Sequence, residues 1–468
     1  MMTLSAAARI LQGSLAGRDA EFLGVSSDTR KLARGDLFVA LIGPSFDGHN
    51  FLGEALQAGA AGALVSRRTD TPLPAVVVSD TRLALGALAA HWRGLFSLPL
   101  IAVTGSNGKT TVKGMLASIM SETGSGIATQ GNLNNDIGAP LTLLRLREGD
   151  KYAVVEMGMN HPGEIDYLTH LARPTIALIT NAAEAHLAGL GSVEAVARAK
   201  GEIFAGLDEN GIAVINADDR YAAYWRSLVG NRRQISFGLR SAADVGADYR
   251  LDATGSALRL KTSQGETDVR LTVLGRHNVM NALAAVAASM AAGATLSHVK
   301  KGLEKLQPTA GRLELKAGMN DASILDDTYN ANPASLAAGM EVLKDFERER
   351  VLVIGDMAEL GDAAPEVHRR MGELARKMGI NRLFAIGELT RMTVQGFGAG
   401  AVHVDSHDSL VDALRRVMHS NMVILVKGSR VMHMEQVVRG ISRGSTTAND
   451  QQTDRQTGAA GMVGGRGS

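Results

Sequence analysis

The residues with the clearest capacity for chemistry stand at Thr104-Gly105-Ser106-Asn107-Gly108-Lys109-Thr110-Thr111. An apolar run from Leu100 to Val103 leads in and helix-forming residues from Val112 to Met120 lead out, so the stretch reads as strand, glycine turn and helix start. Such a turn presents backbone N–H groups to an anion at the positive end of a helix, with Lys109 as a point charge and Thr110 as a hydroxyl ligand. A nucleoside triphosphate with magnesium suits that set. The usual phosphate loop has a longer glycine spacing; here only Ser106 and Asn107 separate Gly105 from Gly108.

Other residues hold open alternatives. Glu156 ends the apolar run from Tyr152 to Val155, where ligands collect in open parallel sheets, and reads as a magnesium ligand or as an acid facing water. His186 follows the run from Thr175 to Ile179 and reaches the same crevice or lies on the surface. Lys200, in VARAKGEIF, is by default a solvated lysine on a helix. Asn278 and Asn281 sit three apart at a helix start, where two amides can read a purine edge, although Asn278 also suits a helix cap. Arg312 reads as a neutralising group for a terminal phosphate across a domain gap, or as part of a charged linker. Asp326 and Asp327 open a segment that ends in an Asn-Pro turn.

These residues need elements to position them, and 468 residues are enough for about three domains. Residues 1–83 carry short strand-like runs, Asp36 to Leu41 and Ala75 to Val78, around a helical stretch from Phe51 to Gly59, which predicts a small α/β unit. Over 84–308, apolar runs at 100–103, 152–155, 175–179 and 212–215 alternate with helical segments, the pattern of a mostly parallel sheet covered on both faces. A third α/β pattern over 309–446 has strands at 323–325, 350–354, 382–386 and 422–426, without the glycine fingerprint of a nicotinamide site. The tail 447–468 is polar and glycine-rich, a composition expected to stay disordered.

Composition removes several classes. Lys plus Arg total 49 against 48 Asp plus Glu, so there is no global basic field for nucleic acid. The absence of cysteine excludes disulfides, thiolate zinc sites and a cysteine nucleophile, and suits a reducing cytoplasm. The start, MMTLSAAARILQGSLAG, lacks the layout of a leader, and ALAAVAASMAAGA from Ala282 is too short to span a bilayer, so a cytoplasmic chain not embedded in membrane is expected.

Taken in order, TGSNGKTT, GNLNNDIGAPLTLL, EMGMNHPGEI, TNAAEAHL, AKGEIF, GRHNVMNALAA, DDTYNANPAS, GDMAELG and VKGSR resemble the Mur ligase family from about residue 24 to 440. The resemblance implies a small N-terminal UDP-binding domain, a central P-loop ATPase-like domain and a Rossmann-like C-terminal domain. It implies that ATP is held by Gly105, Ser106, Asn107, Gly108, Lys109, Thr110, Thr111, Asn278, Asn281, Arg312 and Asp327. Two magnesium ions would use Thr110, Glu156, His186 and a carbamylated Lys200, and Lys109, Lys200 and Arg312 would carry catalysis. Ser27, Asp28, Thr29, Asp47, Gly48 and His49 would seat the UDP end of the substrate. DDTYNANPAS and EMGMNHPGEI favour UDP-N-acetylmuramoyl-tripeptide and D-alanyl-D-alanine as the small molecules joined, with Lys427-Gly428-Ser429-Arg430 a candidate for the dipeptide and a hinge near Gln307 to Arg312. A monomer is expected. The competing readings are a relative that adds another amino acid or acts on folate, and a GTP switch, against which the missing Asn-Lys-x-Asp signature argues.

Overall fold

The computed structural model describes residues 1–185 and 187–444, without the side chains of residues 187 and 188. His186 and the tail at 447–468 therefore lie outside the described residues. The chain forms two compact units, one of 1–250 with 255–272 and 276–307, the other of 251–254 and 273–275 with 308 onward.

The first unit holds a six-stranded sheet in the order 233–237, 212–216, 176–179, 100–104, 152–156, 126–128. Every neighbouring pair is parallel. Leu100, Ile101, Ala102 and Val103 have no solvent exposure, as continuous apolar strands covered on both faces require. The connection that leaves Leu100–Thr104 leads to one side of the sheet, to 126–128, and the one that leaves its neighbour 176–179 leads to the other, to 212–216, so a switch point falls at the carboxyl end of Leu100–Thr104, where a ligand crevice belongs. The alanine-rich helix Arg276–Ala291 is buried almost all round, with Ala282 through Ala288 inside the protein.

The N-terminal sheet runs 14–16, 75–77, 62–65, 36–39, 24–26, parallel except for the first pair. Alternation divides its faces: Leu37 and Val39 join the core shared with Leu85, Trp92 and Val155, while Phe38 and Ala40 pack with Leu52 and Ala55. The chain also forms a three-stranded sheet, 246–252, 255–262 and 265–271, its last two strands antiparallel, which the expectation of a mostly parallel central segment did not include.

The second unit is a six-stranded sheet in the order 314–317, 323–327, 422–427, 349–355, 382–386, 401–404, parallel except for its first pair. Cores cover both faces, one with Leu325, Leu352 and Leu425, the other with Ile324, Val353 and Ile424. His368 lies in this unit with no exposure. Its Nδ1 donates to the Ala364 carbonyl and its Nε2 accepts the Met357 N–H, which defines a neutral ring. Burial pushes its pKa below the ordinary 6.5, so the unfolded chain takes up the proton first as the solution is acidified. Urea unfolding should therefore lose stability as pH falls through about 6.5, by up to ~1.4 kcal/mol per pH unit from this group, and His368→Gln should flatten that slope.

Candidate functional site

Gly105 and Gly108 explain the short loop. Gly105 has φ 152, and a Cβ there would lie 1.8 Å from Thr180 Oγ1; Gly108 has φ 83, and a Cβ would lie 2.3 Å from Asn281 Oδ1. Both positions need a left-handed backbone and close approach. Gly105→Ala is expected to cost at least about 2 kcal/mol of stability and to abolish binding of a fluorescent ATP analogue, checked by thermal melts and titration. A variant that melts and binds like the parent would contradict this packing.

The loop is tied to the adjacent strand end. Ser106 N–H donates to the Asn181 carbonyl and Asn107 N–H to Asn181 Oδ1, while Thr180 Oγ1 donates to the Asn107 carbonyl. These two loop N–H groups are engaged, which leaves the start of the Lys109–Ser121 helix as the anion-facing end. That helix begins after Gly108 without a side-chain cap. Lys109 Nζ reaches back to the Gly105 carbonyl at 2.6 Å. Thr111 begins on the same turn, partly buried.

Glu156 is 2% exposed at the end of its strand. Its backbone N–H donates to Thr129 Oγ1, and its Oε1 accepts from Asn134 Nδ2 at 2.8 Å, with the Thr110 hydroxyl 3.4 Å away. Its Oε2 lies 3.0 Å from Lys113 Nζ but lacks a hydrogen bond of good geometry among the described residues. Hard oxygen donors, one of them buried and not fully satisfied, fit magnesium. Sequence reasoning missed Lys113 and Asn134. The signal for Lys113 was its position four residues after Lys109 on one helix face.

Lys200 is 1% exposed at the end of the helix Val193–Gly201, so the default of a solvated lysine is overturned. Burial first, and then the charge of Lys109, hold its pKa well below the ordinary lysine value, against the pull of Glu202. The charged form of this amine is therefore disfavoured in the folded protein.

Asn278 and Asn281 are buried, and Asn281 Nδ2 donates to Asn278 Oδ1 at 2.9 Å. The pair shares one helix face, and the Asn281 side chain backs Gly108.

In the N-terminal sheet, Ser27, Asp28 and Thr29 follow the 24–26 strand, while Asp47, Gly48 and His49 follow the 36–39 strand. Asp28 caps Arg30, and Thr29 Oγ1 donates to Glu54. Asp47 accepts from the His49 N–H, and its other oxygen accepts from Arg67, whose guanidinium, above all, holds that carboxyl far below the usual carboxylate range. His49 Nε2 accepts the Ser66 N–H. Carboxyl ends of three parallel strands thus converge. A Cβ on Gly48 would lie 2.7 Å from the Leu41 backbone.

In the second unit, the Arg312 guanidinium stacks 4.0 Å over Tyr329, and its Nε is buried without a hydrogen bond among the described residues. The buried Asp327 carboxylate is paired with the buried Lys427 ammonium, which also donates to the Asn330 carbonyl. Ser429 Oγ accepts the Ala358 N–H, and Arg430 is exposed near Glu435.

A phosphate loop at the switch point of a covered parallel sheet defines a nucleotide-binding class of protein. Residues 103–289 match the Mur ligase middle domain and 311–430 the Mur ligase glutamate ligase domain. The chain belongs to the Mur ligase family. It is 45% identical over 449 residues to UDP-N-acetylmuramoyl-tripeptide--D-alanyl-D-alanine ligase of Escherichia coli, covering 95% of this chain and 99% of that one. A crystal structure of MurF from Acinetobacter baumannii superposes with a TM-score of 0.88 at 36% identity, covering 93% of this chain and 98% of that one. MurF of Thermotoga maritima in complex with ADP gives a TM-score of 0.79 at 27% identity, covering 89% and 96%.

Proposed function

We propose that this chain joins D-alanyl-D-alanine to UDP-N-acetylmuramoyl-tripeptide at the expense of ATP, in peptidoglycan precursor synthesis. The observation that carries the reading is the near end-to-end match to the Escherichia coli ligase, in a chain whose phosphate loop stands beside Glu156 and a buried lysine. The reading divides the chain into a UDP-sugar domain (1–83), an ATP domain (84–308) and a ligase domain (309–446), working as a cytoplasmic monomer. No helix among the described residues is long and apolar enough to cross a membrane.

The tripeptide's terminal carboxylate attacks the γ-phosphate, forming an acyl phosphate and releasing ADP. The dipeptide amine then attacks that carbonyl, and inorganic phosphate leaves as the amide forms. In this scheme Gly105 to Thr111 hold the phosphates, and the Lys109 ammonium offsets charge on the transferring group. Thr110 and Glu156, with His186, would hold magnesium, which supplies charge neutralisation at the phosphates. Lys200, with its charged form disfavoured by burial and by Lys109, is suited to add carbon dioxide through its neutral amine with loss of a proton, giving a carbamate whose oxygens would complete the second metal's ligands. Asn278 and Asn281 read adenine, Asp327 serves the ribose, and Arg312 brings a guanidinium to the phosphates. Ser27, Asp28, Thr29, Asp47, Gly48 and His49 seat the UDP end, and the segment from Lys427 to Arg430 serves the dipeptide.

The test is mass spectrometry of products from ATP, the UDP-tripeptide and a panel of acceptors. A UDP-pentapeptide formed with D-alanyl-D-alanine supports the reading. Extension only by a single amino acid, or by glutamate on folate, overturns it.

A further inference from the structure

Lys113 has no part in the scheme above, yet it is 7% exposed and its only modest freedom is spent on the metal-facing acid. It lies one turn after Lys109 in the helix Lys109–Ser121. Its Nζ is 3.0 Å from Glu156 Oε2 and donates to the Gly131 carbonyl at 2.8 Å. Asn134 holds the other oxygen, Oε1. The carboxylate is thus clamped from both sides, by a charge on one and an amide on the other.

That clamp has an electrostatic consequence. Among the described residues no group of three His, Cys, Asp or Glu side chains could hold a metal ion. Glu156 is the acid that faces Thr110, and a buried ammonium already neutralises it, with Lys109 adding a second positive charge on the same helix. A divalent cation arriving alone must compete with Lys113 and give up hydration without a net negative site to receive it. A triphosphate reverses that balance by bringing several negative oxygens.

We infer that Lys113 is a positioning residue that holds Glu156 in place and charge-balanced, so that the site accepts its divalent cation only together with nucleotide phosphates. The inference rests on the nucleotide reading of the loop. Lys113 also orients the carboxylate, so the metal meets an acid already aimed rather than one free to swing.

The test uses the full chain and manganese(II), followed by electron paramagnetic resonance, with and without the non-hydrolysable β,γ-methylene analogue of ATP. The wild type should bind manganese at least about tenfold more tightly with the analogue than without it. Lys113→Met should tighten nucleotide-free manganese binding at least about tenfold, narrowing that gap, because the competing charge is gone. Lys113→Arg should keep the wild-type pattern. Lys113→Gln retains a donor for the Gly131 carbonyl without the charge, and should behave like Lys113→Met even if the latter folds poorly.

Unchanged nucleotide-free affinity in the folded neutral variants overturns the inference, as does equal weakening with and without the analogue. Wild-type protein that binds manganese equally well in both conditions overturns it too. Failure of the wild type to bind the analogue at all refutes the nucleotide site itself, a separate outcome read from the analogue titration.

Discussion

Lys109→Ala is expected to lower kcat by roughly a thousandfold in a phosphate-release assay, with little change in melting temperature. The side chain is partly buried and reaches the carbonyls of Gly105 and Ser106 in its own loop, so truncation leaves the strand, the turn and the helix start in place. What disappears is a compact positive charge at the start of a helix whose N-terminus has no side-chain cap. That charge matters most when negative charge spreads over the transferring phosphoryl group, so the loss falls on kcat more than on KM for ATP. Lys109→Arg should not restore activity, because a planar guanidinium does not fit where a point charge is needed. Activity within tenfold of the parent in Lys109→Ala would remove this lysine from the chemistry.

Lys200→Met should be the other severe lesion, at least about a hundredfold in kcat, while raising stability. The two effects have one origin. Burial and then Lys109 hold the pKa of this almost unexposed lysine well below the ordinary value, whereas in the unfolded chain it is protonated up to about 10.5. Below the unfolded pKa, folding must either bury a disfavoured charge or release a proton, and both cost stability; that cost shrinks as pH rises and ends above the unfolded pKa. In buffer free of carbon dioxide, Lys200→Met should melt a few degrees above the wild type at neutral pH, with the difference closing toward about pH 10.5. Wild-type turnover should fall in the same buffer and return with bicarbonate. Turnover insensitive to bicarbonate would argue against the carbamate, and a destabilised methionine variant would argue against a lysine whose charge is disfavoured by burial.

The parts of the fold legible from sequence are those coded by long apolar runs. Leu100 to Val103, Tyr152 to Val155 and Ala213 to Ile215 are buried on both faces, so continuous hydrophobicity marks them as parallel strands. The strands at 246–271 escaped because the segment is polar, its first strand has no buried residue and its third buries only Val269 and Leu271, and because it interrupts an otherwise regular alternation of strands and helices. N-terminal strands of two or three residues, such as Met2–Thr3 and Glu21–Phe22, are too short to carry a period.

The site divides in the same way. Gly105, Gly108, Lys109 and Thr110 are legible because a phosphate loop is local, and its glycines, its cation and its hydroxyl fall within a few residues of one another. The groups that hold it lie far along the chain: Asn181 is 74 residues from Asn107, and Asn134 is 22 residues from Glu156. Their roles exist only once the sheet brings the strand ends together. Lys200 shows the limit most directly, since a helix period says which side a lysine takes but not that the side is sealed from water.

The central claim is that ATP activates the peptide carboxylate as an acyl phosphate. It is tested most directly by labelling the terminal carboxylate of the UDP-tripeptide with oxygen-18, running a turnover with ATP and D-alanyl-D-alanine, and weighing the inorganic phosphate released. The account predicts that phosphate carries label from the carboxylate, in step with amide formation. Unlabelled phosphate accompanying the same amide product would contradict it.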